Sequence, residues 1–146
     1  MILTVLTSNT KWKCSNNVPT GQRGELLVAE KLISKGWDVA DPLGHNHAYD
    51  LLAIKGEKIL KIQVKATVEY KTRHKQGFYW QFNTSKGRHR NTKYLVAEVD
   101  FFILVALDVS KYWIVPYKNL TAICVKIGAG DNKYRKFEDA WEVLDK

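Results

Sequence analysis

An acid, an amide and an amine punctuate an otherwise apolar part of this chain: Asp50, Gln63 and Lys65. They flank the segments Asp50–Ile54 and Ile59–Lys65, which are joined by Lys55-Gly56-Glu57-Lys58. Gly56 at the first central position of a two-residue loop is what a type II′ hairpin turn requires, because φ is positive there. With Gly56-Glu57 as that loop, antiparallel pairing sets Asp50 directly across from Gln63. Alternation along the strand then puts Lys65 on the same side as Gln63. Leu51, Leu52, Ala53, Ile54, Ile59, Leu60, Ile62 and Val64 supply the near-continuous hydrophobic runs of strands covered on both faces. Charges in such a place are costly to bury unless paired or bound to a cation. A carboxylate, an amide oxygen and an ammonium together outline a site for a metal ion and a phosphate. A plain Asp50–Lys65 salt bridge is the structural alternative.

The preceding element adds a further acid. Residues 20–35 read as a helix, with Pro19 and Thr20 at its start and Gly36 just past its end. On a wheel of about 100° per residue, Glu25 falls in the middle of the arc that carries Val28, Leu32, Ala29, Ile33 and Leu26. Glu30 lies with Arg23 and Ser34 on the polar side, and Leu27 stands apart. Glu25 is therefore expected to point at whatever the helix packs on, and sequential elements usually pack as neighbours, which selects the hairpin. A carboxylate there must be neutralised by protonation, a basic partner or a cation. Its alternative is an acid of the first helical turn favoured by the helix dipole.

Gly21-x-x-Gly24-Glu25, Pro42-Leu43, Tyr49-Asp50 and Gln63-x-Lys65 together resemble the PD-(D/E)XK nuclease superfamily, whose signature is a helix Glu, a strand Asp and (E/D/Q)-x-K on the next strand. Gly36-Trp37-Asp38-Val39 resembles the family's lead-in to its first strand. The Gln variant looks closest to the small cyanobacterial group I intron homing endonucleases, as do Val99-Asp100-Phe101-Phe102 and Tyr112-Trp113-Ile114-Val115-Pro116. Archaeal Holliday-junction resolvases share the helix–hairpin core but normally carry Glu there. The motif covers residues 20–67, and a weaker resemblance runs to residue 142.

Carried onto this chain, the resemblance implies that Glu25, Asp50, Gln63 and the Val64 carbonyl bind one or two Mg²⁺ ions, with Mn²⁺ as an expected substitute. Lys65 would position or activate the attacking water and offset charge on the phosphate. Those residue types suit a hard cation that prefers oxygen ligands and keeps several waters. Gln63 departs from the usual acid and brings a neutral oxygen in place of a charge.

The remaining composition fits a DNA-binding enzyme. The chain of 146 residues carries 23 Lys and Arg against 15 Asp and Glu, for a net charge of +8, a sign that favours a polyanionic partner. The basic charge is concentrated: Lys71, Arg73, Lys75, Lys86, Arg88, Arg90 and Lys93 occur in one stretch that contains no acid. The alternating run Phe78-Tyr79-Trp80-Gln81-Phe82 reads as a strand between two basic loops, Lys71–Gln76 and Ser85–Lys93. These loops are expected to grip the phosphates of double-stranded DNA. A merely solvating role is the alternative. His45-x-His47 lacks a partner at zinc-site spacing and reads as a polar loop.

Cys14 and Cys124 form no C-x-x-C pair, so reduced thiols and a cytoplasmic setting on DNA are expected. Met1–Thr7 is apolar but too short to cross a membrane and lacks the flanks of a signal peptide, so no membrane partner is expected. Residues 1–19 are expected to form an arm or an added edge strand, and residues 20–146 a single domain. Phe101–Leu107, Tyr112–Val115 and Ala122–Ile127 read as further strands and Lys136–Asp145 as a terminal helix. The expected fold is α/β, a restriction-endonuclease-like core with a mixed central sheet flanked by helices on either side. Cutting both strands from so small a chain suggests a homodimer or homotetramer. The expected activity is Mg²⁺-dependent, site-specific DNA cleavage of the homing type. A Holliday-junction resolvase and a non-catalytic basic DNA-binding module are the alternatives.

Overall fold

The computed structural model describes residues 19–44, 46–68, 70–73, 77–87, 92–128 and 132–146, with residues 19 and 70–73 described through their backbone only. Residues 1–18 of the expected N-terminal arm, with Cys14, and His45, Lys75, Arg88 and Arg90 lie outside the described residues, while residue 19, the arm's last, opens the first helix.

Helix α1 spans Pro19–Ser34. It stops where Gly36 turns left-handed, with φ of +81°. The Trp37 and Gly36 amides then donate to Leu32 O (3.0 Å) and Ile33 O (3.0 Å), closing a Schellman motif that uses the last carbonyls. Trp37 and Leu32, the apolar pair that accompanies this motif, are buried in the same core cluster.

Five strands form the central sheet: β1 (Asp38–Ala40), β2 (Leu51–Lys55), β3 (Lys58–Thr67), β6 (Phe101–Ala106) and β7 (Lys111–Pro116), in the order β1-β2-β3-β6-β7. Only the β3–β6 pairing is parallel, so the sheet is mixed. The β2–β3 hairpin pairs Leu51 with Ile62 and Lys55 with Lys58, the register expected from a Gly56-Glu57 loop. Gly56 has φ of +61° while Glu57 is not among the positive-φ residues, which is the II′ pattern.

A second, three-stranded sheet is ordered β4-β5-β8, from β4 (Tyr70–Arg73), β5 (Gly77–Asn83) and β8 (Cys124–Gly128). It covers the face of the central sheet opposite α1, where the sequence suggested helices. One core, including Val28, Leu32, Ile62, Val64, Ile103 and Ile114, lies between α1 and the central sheet. The other, including Phe82, Phe102, Leu104, Trp113, Val115 and Ile127, lies between the two sheets.

Three local expectations need correction. Lys71 and Arg73 belong to β4 and not to a loop, because Tyr70–Arg73 pairs antiparallel with Gly77–Trp80. The C-terminal segment is not one helix but two 3₁₀ turns, Arg135–Phe137 and Trp141–Asp145. Asp139, with φ of +52°, breaks it between them, and Glu138 bridges to Trp113 on β7. The break has a packing reason: Phe137 enters the core between the sheets, while Trp141 and Leu144 enter the core under α1.

The buried face of α1 is also turned by roughly 60° from the expected arc. Gly24, Val28 and Leu32 are buried, while Leu26 and Ile33 are 65% and 61% exposed. The helix seats on its glycine. A Cβ at Gly24 would stand 2.6 Å from Ala66 Cβ and 3.5 Å from Val64 Cγ1, so β3 approaches the helix where the backbone is barest. Leu27, which seemed misplaced, packs against this core.

Candidate active site

Asp50 stands at the mouth of β2, its amide donating to Ile62 O at 2.8 Å. Ile62 is already the partner of Leu51, so Asp50 steps out of register there and meets Gln63 through its side chain, not as a ladder pair. Asp50 Oδ2 accepts the Val64 amide at 2.8 Å and a short hydrogen bond from Gln63 Nε2. The same amide nitrogen lies 3.3 Å from Val64 O. Gln63 therefore points its amide nitrogen between two oxygens, one a carboxylate and one a backbone carbonyl.

The Asp50–Lys65 salt bridge, the structural alternative for this hairpin, does not form. Ion pairs among the described residues are Lys55–Asp145, Lys86–Glu98 and Lys111–Glu138. Lys65 Nζ turns instead to Tyr94 Oη, 3.3 Å away.

Glu25 lies at the border of the buried face of α1, half-buried, and shares an open pocket of about 440 Å³ with Asp41, Pro42, Leu43, Gly44, His47, Tyr49 and Asp50. The charges sense one another. Burial pushes the Glu25 carboxyl above its ordinary range, and the nearby Asp50 and Asp41 carboxylates add to the rise while Lys65 opposes it. Burial also raises Asp50, against the pull of the Val64 amide, Lys65 and Gln63. Lys65 is pushed down by burial and held up by Asp50 and Glu25. Such a set, with several titratable groups displaced by desolvation and each other in one cleft, is the electrostatic pattern of a functional site.

A divalent cation fits this donor set. The point held by the Gln63 amide nitrogen faces Asp50 Oδ2 and Val64 O, and turning the amide over would direct its own oxygen inward. Among the described residues no three His, Cys, Asp or Glu side chains cluster to hold a metal by themselves. The donors are instead mixed hard oxygens, the kind that suits an ion retaining much of its water.

Two residues at this site escaped sequence reasoning. Asp41 sits beside the Pro42-Leu43 pair and could have been noticed as a third acid between β1 and Asp50. Tyr94 is 29 positions from Lys65, and no local pattern announces their contact.

The basic residues are only partly placed. Lys86 is paired with Glu98, an acid just beyond the acid-free stretch, and the Leu95 amide and Lys86 lower the Glu98 carboxyl. Lys93 is exposed, and Lys71 and Arg73 are placed by backbone alone on β4. Lys75, Arg88 and Arg90 lie outside the described residues. His47 Nε2 lies 3.0 Å from Leu43 O, within its own loop. Cys124 is exposed with a free thiol. No described helix is long and apolar enough to cross a membrane.

A mixed sheet with one helix across the catalytic-type hairpin is the restriction-endonuclease-like architecture. The chain belongs to the PD-(D/E)XK endonuclease family, whose profile matches residues 16–142, and its activity class is therefore nuclease. Among solved structures it is similar to that of a bacterial homing endonuclease, I-Ssp6803I, with a TM-score of 0.69, 19% identity, and coverage of 88% of this chain and 93% of that one. No curated protein matches it significantly in sequence.

Proposed function

We propose that this nuclease is a Mg²⁺-dependent, site-specific DNA endonuclease of the homing type. The observation that carries the reading is the convergence of Asp50, Gln63 and Val64 O around one point, with Lys65 and Glu25 electrostatically coupled to it. Glu25, Asp50, Gln63 and Val64 O would hold the cation. Bound there, Mg²⁺ or Mn²⁺ would supply Lewis acidity to a phosphoryl oxygen and lower the pKa of a water. Asp50 is oriented for this by the Val64 amide, which donates to Oδ2. Lys65 carries an ammonium on a strand that also presents Gln63, so a phosphate lying across the hairpin would meet positive charge beside the donor oxygens.

DNA affinity would come from Lys93 and Lys86 together with Lys71, Arg73, Lys75, Arg88 and Arg90, most of it through phosphates. One chain offers one such site, so cleavage of both strands points to a homodimer or homotetramer on a near-symmetric target. The homing assignment is supported by the Gln-x-Lys motif and by the likeness to a homing endonuclease over most of both chains.

The test is plasmid nicking with Mg²⁺, Mn²⁺ and EDTA. Discrete products that need the metal and vanish in Asp50→Ala and Lys65→Ala support the reading. Tight binding without cleavage under any divalent ion refutes it in favour of a binding module. Cleavage of synthetic four-way junctions alone, with linear duplex left intact, refutes the homing assignment in favour of a resolvase.

A further inference from the structure

We propose that Tyr94 is the positioning residue for Lys65, holding its ammonium at the nuclease site through the phenol oxygen. The inference rests on the nuclease reading above and adds a residue to it.

Lys65 is half-buried, and a buried ammonium needs acceptors. The two carboxylates nearest in charge, Asp50 and Glu25, do not pair with it within ion-pair distance. Its hydrogen bond goes to Tyr94 Oη at 3.3 Å, and Nζ also lies 5.6 Å from the centroid of the Tyr94 ring. With the hydroxyl so much nearer than the ring centre, the ammonium lies beyond the oxygen at the ring edge, and the phenol oxygen is the contact that holds it. That contact fixes the ammonium without neutralising it. A carboxylate partner would cancel the charge that a phosphate must meet. A neutral phenol does not.

Tyr94 is itself held firmly. It is buried, its ring meets Phe102 edge to face at 5.2 Å and 80°, and its carbonyl accepts a short hydrogen bond from the Tyr117 hydroxyl. Phe102 lies on β6, and β6 pairs with β3, the strand that carries Lys65. Tyr94 itself lies in the segment before β6, so the clamp is a loop residue seated on the strand that adjoins the one carrying the ammonium. Besides Lys65, the charged groups that act on the phenol are Asp50 and Glu98. Burial and these two carboxylates push it up to about 12, so it stays a neutral donor and acceptor.

The experiment compares wild type, Tyr94→Phe and Tyr94→Leu, with Lys65→Ala and Asp50→Ala as references. Tyr94→Phe keeps the ring and removes the acceptor. Its single-turnover cleavage rate is expected to fall by about 10- to 100-fold, the scale of a catalytic group displaced by about 1 Å. DNA affinity in Ca²⁺ and the melting temperature are expected to stay at wild-type values. Tyr94→Leu, which also loses the edge-to-face packing on Phe102, falls further. In the metal-free, DNA-free protein the Cε and Nζ NMR signals of Lys65 shift in Tyr94→Phe while those of Lys55 and Lys111 do not. A wild-type rate in Tyr94→Phe, or unmoved Lys65 signals, overturns the inference. If Lys65→Ala and Asp50→Ala cleave like wild type, it is the nuclease reading that fails instead.

Discussion

Replacing Gly24 by alanine tests how tightly the site depends on the seat of α1. The added Cβ would lie 2.6 Å from Ala66 Cβ, where ordinary contact begins at 3.4 Å. Both atoms are fixed to backbone, so no rotamer change relieves the overlap. The helix and β3 must separate by about 0.8 Å or more. Overpacking of this kind costs about 1–3 kcal/mol. Alanine in a helix interior recovers about 1 kcal/mol relative to glycine. The net loss is then about 0–2 kcal/mol, a melting temperature lower by no more than about 8 °C. Activity should suffer more than stability. Glu25 follows Gly24 on the helix and Lys65 precedes Ala66 on the strand, so the same separation moves one against the other. A shift near 1 Å predicts a cleavage rate lower by about 10- to 100-fold. The companion Gly24→Ala/Ala66→Gly leaves Val64 Cγ1 at 3.5 Å and Ala66 Cα at 3.8 Å as the nearest atoms, both ordinary contacts. It is expected to regain most of the rate. Thermal melts and single-turnover cleavage of the four proteins form a double-mutant cycle. A Gly24→Ala enzyme that cuts at the wild-type rate, or a double variant no better than the single, would show the reasoning to be wrong.

Other expectations concern charge. Asp50→Asn should abolish cleavage yet raise the melting temperature of the metal-free protein at neutral pH, by about 0.5–2 kcal/mol of stability. The folded state holds Asp50 and Glu25 above their ordinary 3.8 and 4.5, so the folded chain keeps protons the unfolded chain has released. Stability therefore falls as pH rises upward from those values, and Asp50→Asn flattens that fall in melts taken in EDTA. Lys65 has the opposite window: it is lowered from 10.5, so stability climbs with pH in the range below that value. Gln63→Glu places a third carboxylate beside Asp50 and Glu25. It should strengthen Mn²⁺ binding, measured by EPR titration, by about tenfold while lowering the melting temperature in EDTA. An unchanged Mn²⁺ affinity would count against Gln63 facing the cation. Lys93→Ala should weaken DNA binding and lower the salt slope by about 1. Lys86→Ala should change the slope less, since Glu98 already partners it.

The hairpin was legible because its information is local. Gly56 fixes the turn, the turn fixes the register as far as Leu51–Ile62, and that register brings the Asp50 and Gln63 side chains together just beyond it. The helix was legible in extent but not in rotation. Counting apolar side chains put Glu25 in the middle of the buried face, whereas the helix rests on Gly24, which has no side chain to count. The C-terminal segment misled for a related reason. Phe137, Ala140, Trp141 and Leu144 have helical spacing and are all buried, but they serve two different cores, which a single helix face could not do. The second sheet was hidden because its β5–β8 pairing spans a long separation: Phe82 of β5 faces Val125 of β8. Tyr94 was silent for the same reason, since its role depends on β6 lying beside β3.

That second sheet bears on how chimeras of such a nuclease could be built. Its strands come from two distant stretches of chain, β4 and β5 between β3 and β6, and β8 after β7. Grafting a relative's residues 70–83 alone would leave β8 with a foreign neighbour and disturb the Phe82–Trp113 aromatic contact under the central sheet. A working chimera has to exchange both stretches at once, cutting the chain in four places and leaving the hairpin untouched.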